Sequence, residues 1–296
     1  MYKIVVLAKQ VPDTHNVTAK AMKDDGTVNR AALPTIFNPE DLNALEAALQ
    51  VKDQYGAEIT VITMGPPTAA EVLRDSLYRG ADKVVLLTDR RFAGADTLAT
   101  SYVLSCAIKK IGKVDLIFAG VQAIDGDTAQ VGPQTAEKLE ISQIGYMHDI
   151  LGLTKTEIKV KRAIDNGTEV VKSKLPAMIT VTGTANEPRF PSVKKVAKFK
   201  KAMTKTELSK MSDSLSYLSP SDYTEAALKG KGLLIEEWSL DDVKADPALC
   251  GLSGSPTKVF KIDSVVLGAT ETKEIPGDES GIRSLIHELI EEHIIG

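Results

Sequence analysis

Short apolar runs rich in β-branched residues alternate with longer amphipathic segments through the first two-thirds of the chain. The runs are Ile4–Ala8, Ile59–Met64, Val84–Leu87 and Leu116–Ala119, each too short for a helix and suited to a strand buried on both faces. Between them lie Pro39 to Gln54, Thr68 to Arg79, Thr97 to Ile111 and Pro133 to Leu139, where apolar residues such as Leu42, Leu45 and Leu49 fall at helical spacing. Parallel strands need crossover connections and helices supply them, so this order predicts an α/β fold, a parallel sheet covered on both faces. Ligands of such sheets bind beyond the carboxyl ends of the strands. Loops at those ends are Lys9–Asp13, Met64–Pro67 and the stretch from Gly120.

The Gly120 stretch is the most informative. The strand ending at Ala119 runs into Val121, Asp125, Gly126, Asp127, Thr128, Ala129, Gln130, Val131 and Gly132, and then into a helix expected to start near Pro133, because proline suits a first helical turn. Free N–H groups at that start would favour a nucleotide pyrophosphate. Gly126 and Gly132 would permit close backbone approach and unusual φ values, while Thr128, Gln130, Gln134 and Thr135 would supply side-chain hydrogen bonds. Asp125 and Asp127 would repel phosphate and read as turn formers, caps or ribose partners. An ordinary strand-to-helix loop carries equal weight from the residues alone, since neither G-x-G-x-x-G nor a Walker-type loop is present.

Composition narrows the function classes. The 296 residues, 43% hydrophobic and 26% charged, suit a globular protein of one large domain with an appendage, or two domains. A net charge of −4 gives no basic field for nucleic acid. Cys106 and Cys250 form neither a disulfide framework nor a zinc site. Met1 leads directly into the first strand and no apolar run is long enough to cross a bilayer, so the expectation is a cytoplasmic protein without membrane insertion. His15, His148, His287 and His293 stand in no metal or triad pattern, and no catalytic residue is assigned. Redox or group-transfer chemistry would therefore come from a bound cofactor.

Beyond residue 150 the pattern changes. Alternating residues around Asp165-Asn166-Gly167 predict a hairpin extending one sheet edge, and Met178–Val181 a strand returning to the sheet. The lysine-rich run Lys194 to Lys205 reads as a solvated helix face or a partner-facing patch. Residues 206–296 show little core of their own: Ser209 to Ser221 is weakly periodic, and only Ile282 to Ile294 reads as a firm amphipathic helix. They are set apart as an arm from a nucleotide-binding domain spanning 1–205, and such an arm should lie against the first domain or another subunit.

Four stretches together resemble the β subunits of electron-transfer flavoproteins: Lys9 to Thr14, Asn38-Pro39-Glu40-Asp41, Gln122 to Pro133, and Val160 to Thr180 with Arg162, Asp165, Gly167, Glu169, Val171 and Pro176 in order. Asn186 to Phe190 is similar to a further family stretch. The resemblance implies an adenine nucleotide α-hydrolase-like domain with an edge hairpin and a C-terminal extended arm that packs on an α subunit carrying its own FAD. It implies a second nucleotide in this chain, FAD in bifurcating members and AMP in housekeeping ones; the small residues of the loop favour FAD. Its adenine end would contact Leu7, Ala8, Asn38, Asp41 and Met64, its phosphates the loop from Asp125 to Thr135, and Lys9 and Gln10 would approach the flavin, unless Lys9 is simply a surface lysine. Hydride from NADH would enter there, in a non-autonomous subunit of an oxidoreductase complex. Electrons would then part between ferredoxin or flavodoxin and, through the α-subunit FAD, a dehydrogenase of acyl-CoA, enoyl-CoA or 2-hydroxyacid type. Val193, with Lys194, Lys195 and Lys198, occupies the family's partner-docking position. The rivals are a housekeeping carrier with structural AMP and a stand-alone adenine-nucleotide-binding protein.

Overall fold

The computed structural model describes residues 1–13, 33–214, 224–257, 273–291 and 295. Thr14, His15, His293 and the ends of the Ser209–Ser221 and Ile282–Ile294 segments lie outside the described residues. In chain order the elements are β1 (Tyr2–Leu7), β2 (Gln10–Pro12), β3 (Thr35–Phe37), α1 (Pro39–Tyr55), β4 (Ala57–Met64), α2 (Ala70–Arg79), β5 (Lys83–Leu87), α3 (Thr97–Ile111), β6 (Leu116–Gly120) and α4 (Val131–Lys138). There follow β7 (Ser142–Leu153), β8 (Glu157–Ile164), β9 (Gly167–Lys174), β10 (Ala177–Val181), α5 (Val193–Phe199), β11 (Met203–Thr204), α6 (Lys205–Ser214), α7 (Glu225–Gly230), β12 (Leu234–Trp238) and α8 (Glu279–Glu291).

The predicted α/β fold is present. A ten-stranded sheet runs in the order β11-β12-β5-β4-β1-β6-β10-β7-β8-β9, parallel from β11 to β7, with β8 and β9 continuing antiparallel as the edge hairpin. Alternate residues of the buried strands serve opposite faces. On one face Ile4, Val6, Ile59 and Phe118 pack with Leu45 and Leu49 of α1 and Leu73 of α2. On the other, Val5, Ile62, Val85 and Ile117 pack with Val103 and Ile108 of α3 and Ala136 of α4.

Two expectations change, and one strand is missing from the sequence reading. Strand β7 lacks a clean alternation in the sequence because its pairing with β8 shifts register twice, between Met147 and Asp149 and between Ile150 and Gly152; each bulge resets the two-residue period. Helix α4 begins at Val131, ahead of Pro133. The proline sits in the first turn, where its missing N–H has no intrahelical partner to lose. The boundary at 205 does not separate two packed bodies: β12 pairs with β5 in the main sheet, and Leu240, Val243, Ala245 and Cys250 are buried in the second core. Helix α8 leaves Ile282, Leu285, Ile286 and Ile290 exposed.

Candidate functional site

Strand order places the site. From β1 the chain adds β4 and β5 on one side, and then β6 and β10 on the other, so the carboxyl ends of β1 and β6 flank a topological switch point, where α/β sheets open a crevice for ligands.

The start of α1 braces that crevice. Asn38 precedes Pro39, and Glu40 and Asp41 stand in the first turn, where negative charge is favoured. One Asp41 carboxylate oxygen accepts the Lys9 N–H at 2.9 Å and the other the Gly120 N–H at 2.9 Å, tying the ends of β1 and β6 together. The Asn38 side chain donates to the Gln122 carbonyl at 2.9 Å and accepts the Ile124 N–H at 3.2 Å, while Glu40 accepts the Gln122 N–H at 2.8 Å. The family-like Asn-Pro-Glu-Asp run thus braces the two loops. Burial is the largest influence on Asp41 and pushes its carboxyl up to about 7, against the lowering effect of the N–H groups it accepts.

Gly120 is required here for space. A Cβ on it would stand 2.7 Å from Asp41 Oδ1, 2.7 Å from Glu40 Cβ and 2.8 Å from the Glu40 carbonyl carbon. The glycines picked out in the loop act differently from expectation. Gly126 has no positive φ and open space around it. Gly132 is buried against the sheet, and a Cβ there would meet Thr180 Cγ2 at 2.8 Å and Met178 Cε at 3.1 Å, so it serves helix–sheet packing. Left-handed backbone falls instead on Asp127 (φ 47) and Ala129 (φ 52). Aspartate tolerates that region, but alanine there is uncommon, a strain that clusters at binding sites.

Other side chains sort by what they touch. Lys9 pairs with Asp125 at 2.6 Å across the mouth of the crevice, so it is not a free surface lysine. Gln130 accepts from the Thr97 hydroxyl at 2.9 Å, linking the loop to α3; neither this role of Thr97 nor the Glu40 bond to Gln122 was assigned from the sequence. Thr128 is exposed, whereas the buried Thr135 hydroxyl is spent on the Val131 carbonyl at 2.7 Å and is unavailable to a ligand. Leu7, Ala8 and Val121 are buried, the first two in the sheet's cores, so only their backbone can border a ligand. Met64 is half-buried at the end of β4, the strand beside β1.

A nucleotide would find complementary features. Helix α4 starts without a side-chain cap at Gln130, leaving first-turn N–H groups and the positive end of the helix dipole for an anion. Gln134 Oε1 is buried without a partner, an acceptor that a donor on a ligand would satisfy. The residues expected to dock a partner lie elsewhere: Val193, Lys194 and Lys198 are exposed at α5, while Lys195 is half-buried against Gly80. Among the described residues no helix is long and apolar enough to cross a membrane.

The electron transfer flavoprotein domain family matches residues 25–211. The chain is 42% identical over 294 residues to the electron transfer flavoprotein subunit beta of Clostridium acetobutylicum, covering 99% of both chains. It is 41% identical over 301 residues to the caffeyl-CoA reductase-Etf complex subunit CarD of Acetobacterium woodii, covering 99% of this chain and 100% of that one. With Protein FixA of Sinorhizobium fredii it shares 39% identity over 294 residues, 97% of this chain and 92% of the relative.

Proposed function

The chain belongs to the electron transfer flavoprotein family, among its β subunits, and from that premise we propose that the crevice between the ends of β1 and β6 holds FAD in a bifurcating complex. Bound there, FAD would supply two-electron chemistry with NADH and one-electron chemistry toward separate acceptors. The chain's own residues would bind and orient it. N–H groups at the start of α4 and around Thr128 would face the phosphates, the Gln134 oxygen would accept from the ligand, and Lys9, with Asp125, would border the flavin end. Asn38, Glu40 and Asp41 would hold both loops in place, so that little reorganisation accompanies binding.

The observation that carries FAD over AMP is the openness of the loop. Gly126, Asp127, Thr128 and Ala129 are small, and Gly126 has open space around it. In this reading the chain works in the cytoplasm with an FAD-bearing α subunit. The α subunit's FAD would supply one-electron chemistry toward a flavin-dependent dehydrogenase docking at Val193, Lys194, Lys195 and Lys198, and ferredoxin or flavodoxin would be the second acceptor. The test is extraction of nucleotides from the purified αβ complex followed by mass spectrometry. Two FAD per pair is the expected result; one FAD with AMP would assign the housekeeping carrier and overturn the bifurcating reading.

A further inference from the structure

We propose that Phe190 is a second apolar anchor beside Val193 on the docking surface, and that Glu46, buried on α1, positions it through Arg189. The inference rests on the docking reading above and adds to it a contact residue and the device that holds it.

Phe190 is 87% exposed and Val193 85%, more than any other large apolar side chain among the described residues except Met1 at the terminus. They stand three residues apart in the chain. A lone exposed aromatic on a loose loop would carry no argument, since loops sample many conformations. This segment is not held like a loose loop. The Arg189 guanidinium grips Glu46 with both prongs, Nε to Oε2 at 2.8 Å and Nη2 to Oε1 at 3.0 Å, and the Arg189 N–H adds a third bond to Oε2 at 3.1 Å. Arg189 also reaches Asp53 at 2.9 Å. Arg79 donates to the Arg189 carbonyl, Asn43 and Asn186 bond each other's backbone carbonyls at 2.7 and 3.0 Å, and the Ser192 N–H donates to the Tyr78 carbonyl at 3.0 Å. Pro188 and Pro191 fix φ on either side of the anchor.

Presenting an aromatic on a pre-ordered backbone lowers the ordering cost of association, which is how interface anchors act. The partner chemistry follows from charge. Lys194, Lys198 and Lys200 are exposed beside the anchors, whereas the nearby Glu46, Asp53 and Asp75 are engaged by Arg189 and Arg79. The net sign of the patch is positive on a chain of net charge −4. Its occupant is a protein with an acidic face around an apolar cleft.

The experiment measures binding of the intact αβ complex by surface plasmon resonance to three purified probes: an acyl-CoA dehydrogenase, an enoyl-CoA reductase and a flavin-dependent lactate dehydrogenase. With whichever probe binds, Phe190→Ala should weaken affinity about tenfold or more, chiefly through faster dissociation, with melting temperature and flavin content unchanged; Phe190→Leu should restore most of it. Glu46→Gln should weaken binding about threefold to tenfold. Combined with Phe190→Ala it should add little, because both changes act through one side chain. If Val193→Asp abolishes binding but Phe190→Ala does not, this inference fails while the docking reading stands. If the wild type binds no probe, or neither variant matters, the docking reading fails and takes the inference with it. Additive effects of Glu46→Gln and Phe190→Ala would refute the positioning role, and an altered melting temperature in Phe190→Ala would assign that residue to the fold. Wild-type binding to phosphatidylglycerol vesicles that disappears in Phe190→Ala would assign the surface to a membrane and overturn the proposal.

Discussion

Gly120→Ala is the sharpest test of how the site is built. The added methyl would sit 2.7 Å from Asp41 Oδ1 and Glu40 Cβ and 2.8 Å from a backbone carbon of Glu40. Unforced contacts of this kind lie near about 3.5–4.0 Å, so the start of α1 must recede by several tenths of an ångström or more. Because one close neighbour is main chain, no rotamer change relieves it. Overpacking costs roughly 1–3 kcal/mol. Displacing α1 also loosens the bonds from Asp41 to Lys9 and Gly120 and from Glu40 to Gln122, each worth about 1–3 kcal/mol when a buried group is left unpaired. With partial relaxation the sum is about 3–5 kcal/mol, a fall of about 10 °C in melting temperature for a domain of this size. Nucleotide content should fall with it, because the same bonds fix both loops. Gly126→Ala is the control: its Cβ enters open space without a positive φ, and stability should stay within about 0.5 kcal/mol. A Gly120→Ala variant that melts like wild type and retains its nucleotide would refute this account of the crevice.

Two further outcomes follow from titration and from the tail. Burial raises the Asp41 carboxyl from 3.8 to about 7, so the folded chain holds that proton more tightly than the unfolded one. Its stabilising contribution is full below the unfolded value and is lost as pH rises through about 7. The melting temperature of wild type minus that of Asp41→Asn should therefore decline across that window, and a flat difference would count against a buried carboxyl. Asp89, which its hydrogen bond with Arg91 holds well below the usual carboxylate range, contributes the opposite slope under acid and cancels in the subtraction. A chain ending at Thr257 keeps β12 and the second core; it should melt within a few degrees of wild type yet associate more weakly with the α subunit in analytical ultracentrifugation, since the exposed apolar face of α8 is gone. A chain ending at Lys205 should unfold or lose more than about 10 °C; wild-type melting there would overturn the placement of the tail in the core.

The sequence by itself determined the architecture and pointed to two loops for the proposed site. Periodicity is local, so the strand and helix runs from Ile4 to Leu139 were readable, as were the hairpin at Asn166-Gly167 and the strand Met178–Val181, and α/β order alone pointed to the loops after β1 and β6. Where local signals are weak, tertiary contacts decided. Strand β7 is legible only once its bulged pairing with β8 is known. Strand β12 is five residues in a poorly patterned tail, and its place beside β5 comes from pairing across about 150 positions of chain. The same holds within the site. Asn38 and Asp41 were found as a motif, but that their side chains brace two loops depends on Lys9, Gly120, Gln122 and Ile124 arriving from far along the chain. Gly132 and Thr135 belong to packing for the same reason: what a glycine or a hydroxyl does is set by the neighbour it meets, and here those neighbours are Thr180 on β10 and the Val131 carbonyl one turn back in α4.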